Sequence, residues 1–141
     1  MTALLLSVHV LTAIVLIGPI AVAASLFPRH ARTEPDSGVP RLLHRICRGY
    51  ALAGIAVPVF GLATGLQMGV LGDPWLLISI VLTVIAAALL ALVILPAQAA
   101  TLTEPVAAAA KRLTMTTGVF NLLWAAVVVL MIVRPGSSTG A

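Results

Sequence analysis

The sequence predicts an all-α protein, a four-helix transmembrane bundle with both termini on the outer side. Three observations carry that expectation. Four apolar runs are each long enough to cross the ~30 Å of bilayer hydrocarbon as a helix. Of the 141 residues, 61% are hydrophobic and only 9% charged, whereas soluble domains carry roughly 25% charged residues. The basic residues crowd into two of the connecting segments. In lipid every backbone N–H and C=O must be paired within the segment or in a closed barrel, and the strict alternation of a barrel strand is absent, so the runs are helices. The expected helices are approximately 3–26, 40–71, 74–100 and 105–133. They form one domain over 1–133, followed by a short flexible tail, 134–141.

The first run, Ala3 to Leu26, contains a small-residue stretch, Ala21-Val22-Ala23, that resembles a signal-peptide cleavage site. No Lys or Arg precedes the run, however, and it is longer than a typical signal core, so it is read as a retained membrane helix. The basic loop after it, Phe27 to Gly49, holds Arg29, Arg32, Arg41, Arg45 and Arg48. The third loop holds Lys111 and Arg112, and the tail only Arg134. Seven positive charges on one side against one on the other place the first and third loops in the cytoplasm.

The second helix opens near Pro40. Extended to Leu71 it would be about 48 Å long, so its first turns project from the membrane. It carries Gly54, Gly61, Gly65 and Gly69, a stripe nearly free of side chains. Membrane helices associate through close backbone packing, and small residues four apart permit it. The stripe therefore packs either on another helix of this chain or on the same helix of a second copy. Asp73-Pro74 caps the start of the third helix, with Trp75 at the membrane interface. Thr103-Glu104-Pro105 starts the fourth helix and Arg134-Pro135 ends it. Pro19, Pro58 and Pro96 fall inside the apolar runs, where each removes a helical hydrogen bond; shape is the expected consequence, a gating hinge the alternative.

Polar side chains within the bilayer need partners. At 1.5 Å per residue, His9 lies ~9 Å below the outer boundary, Gln67 ~6 Å, Ser79 ~6 Å and Thr83 ~12 Å, so these four are expected to share one polar cluster. Thr114, Thr117 and Asn121 line one face of helix four in the inner half. His9, the histidine inside a membrane run, is the candidate cofactor-binding residue: a proton carrier, a haem or metal ligand, or a quinone contact. The alternative is a neutral imidazole bonded to Gln67, Ser79 or a backbone carbonyl. A haem would need a second axial ligand at similar depth, and His44 lies at the cytoplasmic end while His30 lies in the loop. No metal spacing and no cofactor motif is found.

Arg41, Arg45 and Arg48, with His44, line one side of the cytoplasmic start of helix two and are expected to meet anionic lipid heads. The single cysteine, Cys47, excludes an intrachain disulfide and is either a spectator or an acylation site. The pI near 10.7 comes with no nucleic-acid fold signature, so nucleic acid is not an expected partner. All four acidic residues lie outside the runs, which leaves no buried carboxylate relay, and no nucleophile–base set or phosphate loop can be assembled.

The run HVLTAIVLIG, the segments PVFGLATGLQMG and DPWLLISIVLTVIA, and the closing VRP together resemble the family of small bacterial integral membrane proteins known as domain of unknown function twenty-two sixty-nine. His9, Pro58, Gly61, Gly65, Pro74 and Trp75 match its pattern positions. The first helix is also similar to membrane domains of copper-resistance type, but it lacks the Trp usual after that His. The resemblance implies a four-helix protein of the bacterial inner (plasma) membrane and supplies no activity. The function expected is that of a non-enzymatic multi-pass protein that packs through its glycine-rich helix with itself or within a larger membrane complex. The alternative is a redox-, haem- or metal-associated or small-solute protein that uses His9 and the outer polar cluster.

Overall fold

The computed structural model describes residues 1–104 and 107–136. Among these the chain is all-helical, with no strand. Its four helices, α1 (Thr2–Thr33), α2 (Val39–Met68), α3 (Pro74–Thr103) and α4 (Ala107–Val133), are all long and apolar enough to cross a membrane. Leu52, Leu92 and Leu122, on three different helices, are each more than 70% exposed, so the apolar surface is spread around the bundle.

The ends of the helices differ from the expected ones for local reasons. α1 runs seven residues past the predicted stop because its apolar face continues. Ile20, Ala23, Ala24, Phe27 and Ala31 are buried at helical spacing, and Pro28 is accommodated inside the helix. The expected loop from Phe27 to Gly49 shrinks to residues 34–38. There Ser37 N–H donates to the Glu34 carbonyl (3.1 Å), and the Ser37 hydroxyl accepts from Val39 N–H (3.4 Å). α2 stops at Met68 rather than Leu71. Gly69 turns left-handed (φ 70°), Val70 N–H reaches the Gly65 carbonyl and Gly69 N–H the Leu66 carbonyl, the Schellman arrangement that a glycine permits. α3 starts at Pro74 as expected, although the Asp73 carboxylate accepts from the Trp75 indole (3.1 Å) instead of capping the backbone. The predicted start of the fourth helix at Pro105 lies outside the described residues, as does most of the predicted tail.

Each proline inside a run disturbs its helix just upstream. A proline has no N–H, and its ring crowds the carbonyl four residues back. Before Pro19 the helix widens to a π turn over Ala13–Ile17, and before Pro96 it does so over Leu90–Ile94. Before Pro58 it breaks at Gly54–Ile55, and the Gly54 carbonyl takes Val57 N–H instead (3.0 Å). At 1.5 Å per residue the disturbances lie about 20 Å from the end that carries the termini on α1 and α2, and about 27 Å from it on α3, so together they form a mid-bundle zone. α4 has no proline within its span and is unbroken.

That zone divides the bundle. In the half nearer the basic loops, all four helices contribute to one core around Ile20, Phe27, Cys47, Ile94, Leu113 and Phe120. In the half nearer the termini, the start of α1 packs on the end of α2, and the start of α3 packs on α4. These two hairpins meet again at a small cluster of Val70, Trp75 and Leu76.

Candidate functional site

Between the hairpins, in the terminal half, lies a cavity of about 810 Å³. His9 and Ala13 of α1, Val57, Gly61 and Thr64 of α2, Trp75 and Thr83 of α3, and Trp124, Val127 and Met131 of α4 all line it. Both tryptophans of the chain are on its wall.

His9 is held by α2. Its Nδ1 lies 2.9 Å from the Val57 carbonyl oxygen, and a carbonyl only accepts, so Nδ1 carries the proton. In the neutral ring that tautomer leaves Nε2 as an acceptor. The ring comes this close because Gly61 has no side chain: a Cβ there would stand 2.8 Å from His9 Cε1 and 3.1 Å from Nδ1. Of the partners expected for His9, the backbone carbonyl is therefore the one found.

The glycine stripe resolves into four separate uses. Gly61 seats His9. At Gly65 a Cβ would meet Leu76 of α3 at 3.1 Å and Leu71 at 3.2 Å. At Gly54 it would meet the Tyr50 carbonyl of its own helix at 2.9 Å, with Ile17 of α1 at 3.5 Å. Gly69 is the left-handed cap, with nothing within 4 Å of such a Cβ. Within the chain, then, Gly69 ends α2 and does not pack against another helix.

The expected polar cluster is corrected. Ser79 is buried but donates to the Trp75 carbonyl of its own helix (2.7 Å), and Thr83 donates to the Ser79 carbonyl (2.7 Å). Hydroxyls at these positions reach the carbonyl four residues back more readily than a neighbouring helix. Gln67 is exposed. So His9 and Thr83 share the cavity wall, while Ser79 and Gln67 join neither in a network. Thr64, which carries no distinguishing signal in the sequence, lines the cavity with its hydroxyl donated to the Phe60 carbonyl (2.7 Å). At the terminal end, Arg134 has a positive φ (51°) and places its guanidinium carbon 5.3 Å from the centre of the Trp75 ring, while its Nε donates to the Met131 carbonyl (3.3 Å). It also lines the cavity.

The loop half contains a second polar group. His44 is not on the exposed basic stripe. It is buried, with Nδ1 2.9 Å from Gln98 Oε1, and Gln98 Nε2 lies 3.6 Å from the Cys47 sulfur. The amide oxygen accepts, so His44 donates. Gln98 is absent from the expected site residues, although an amide deep in an apolar run signals a buried bond. Cys47 is fully buried, which removes it as an acylation site. Arg41, Arg45 and Arg48 are exposed, as membrane-surface contacts require. On α4, Thr114 donates to the Ala110 carbonyl, and Asn121 Nδ2 donates to Ser25 Oγ of α1 (3.0 Å). Thr117 Oγ1 and Asn121 Oδ1 are buried with no partner among the described residues. Nor do three His, Cys, Asp or Glu residues converge anywhere among them. No family model, curated protein or solved structure matches the chain.

Proposed function

We propose that this chain is a non-enzymatic, multi-pass protein of the bacterial inner membrane that takes a small apolar guest from the bilayer into the cavity between its hairpins. The observation that carries this reading is the cavity itself. Its volume of about 810 Å³ falls within the ~300–1,000 Å³ of small-molecule sites. Its wall is apolar apart from a few fixed polar groups, and in chemistry it is continuous with the lipid-facing surface: Val10, Ile14, Val84 and Ile132 line it and are also among the exposed hydrophobics. The bacterial location follows the family resemblance, and the orientation with both termini outside follows the basic loops.

Self-association or packing within a complex through the glycine helix is supported less well. Gly61 and Gly65 make their close approaches inside the chain, against His9 and Leu76. The exposed Arg41, Arg45 and Arg48 support contact with anionic lipid at the loop end.

The test is mass spectrometry of the chain released from gentle detergent, beside an Ala13→Trp variant that fills the cavity. A small lipid-soluble molecule retained at about one per chain by the wild type and lost in the variant is expected. Equal retention by both would place any bound lipid outside the cavity and sink the reading.

A further inference from the structure

The hydrogen-bonding state of the cavity wall points to the chemistry of its guest. Most side-chain donors on the wall are already committed within the protein. The Thr64 and Thr83 hydroxyls donate to carbonyls of their own helices, the Trp75 indole donates to Asp73, and His9 Nδ1 donates to Val57. What these groups still offer is acceptor capacity, chiefly the in-plane lone pair of His9 Nε2. Other donor-bearing residues on the wall are Trp124 of α4 and Arg134 just beyond its end. A guest bearing only carbonyl or ether oxygens cannot use His9; one bearing a hydroxyl can. An acceptor fixed in an apolar site discriminates strongly, because a guest without the matching donor leaves it desolvated and unpaired.

We infer that the cavity selects apolar molecules carrying a hydroxyl group (alcohols, phenols or the hydroxylated form of a lipid-soluble redox pair) and that the hydroxyl donates to His9 Nε2. The inference rests on the proposal that the cavity holds a guest. His9 acts here as a specificity residue, and Gly61 acts through it by giving the ring its place.

Because both tryptophans line the cavity, quenching of their emission by bromine reports occupancy directly. The full chain in detergent micelles is titrated with a terminally brominated long-chain alcohol, its methyl ether and the corresponding bromoalkane. A tryptophan octyl ester in the same micelles corrects for partitioning. In the wild type the alcohol is expected to half-quench at a concentration about five- to ten-fold below the ether, the effect of one net hydrogen bond. In His9→Phe that preference is expected to fall to about one while quenching by the bromoalkane persists. Equal potency of alcohol and ether in the wild type would overturn the inference yet leave the guest cavity standing, and this arm does not depend on the variant folding. A preference that survives in His9→Phe would remove the role of His9. If none of the three probes quenches the chain more strongly than the octyl ester, the cavity takes no guest and both readings fall.

Discussion

Gly61→Ala tests the His9 seat with the smallest possible perturbation. The added carbon would stand 2.8 Å from His9 Cε1, closer than real side-chain contacts come, so the ring must move by several tenths of an ångström. Moving it stretches the 2.9 Å bond to Val57, worth about 1 kcal/mol net. The ring borders the cavity and can swing, so residual strain belongs at the low end of the overpacking range, about 1 kcal/mol. Against these losses stands the helix propensity of alanine, at most about 1 kcal/mol. The net expectation is a loss of about 1 kcal/mol. Gly118→Ala, on the exposed face of α4 with nothing within 4 Å of the new carbon, gains the propensity alone. Two identical substitutions should therefore differ by about 2 kcal/mol. Thermal or denaturant unfolding in one detergent measures this. A double-mutant cycle with His9→Ala sharpens it, since in that background Gly61→Ala should turn neutral or stabilising. Equal stability of Gly61→Ala and Gly118→Ala, or no coupling to His9, would refute the seat.

The remaining expectations follow from single contacts. Gln98→Leu strands the His44 donor in the loop-half core and should cost about 2 kcal/mol in an unfolding assay; adding His44→Leu should recover part of it. Cys47 is the sole cysteine and fully buried, so a maleimide should label the folded chain only after denaturant is added. Arg134→Gln removes the cation over Trp75 and should cost about 1 kcal/mol in an unfolding assay, with a change in tryptophan emission; unchanged stability and emission would dissolve that contact. A periplasmic phosphatase fused at the C-terminus should be active and a fluorescent protein there dark, if the basic loops face the cytoplasm.

What is legible in the sequence is whatever one helix decides alone. The four apolar runs and the Asp73-Pro74 start follow from composition and backbone rules. The end of α1 escapes a hydropathy reading because hydropathy drops at Arg29 while the buried periodicity through Phe27 and Ala31 does not. Gly69 misleads because its spacing continues the stripe, yet the chain must turn there, and a four-residue period does not distinguish a packing glycine from a terminating one. Counting residues places Ser79 and Thr83 along their helix but says nothing about direction, and their own helix supplies nearer acceptors. The cavity has no sequence signal at all, since it is a region where two hairpins fail to touch.

The prolines and the histidine belong to one construction. Pro19, Pro58 and Pro96 disturb three helices in the middle of the bundle, and nearer the termini the bundle parts into its two hairpins. Val57 stands at the restart of α2 just after its break, immediately before Pro58. A carbonyl has two lone pairs, so that of Val57 can hold the imidazole while it also serves its own helix. Four residues on, one turn along the same face, Gly61 supplies the gap into which the ring fits. A carbonyl at one position and a missing side chain four later make a seat that neither provides alone. Placing that seat in the terminal half turns a packing histidine into part of a cavity wall. The same His9 seated nearer the basic loops would have met the closed core around Phe27 and Ile94.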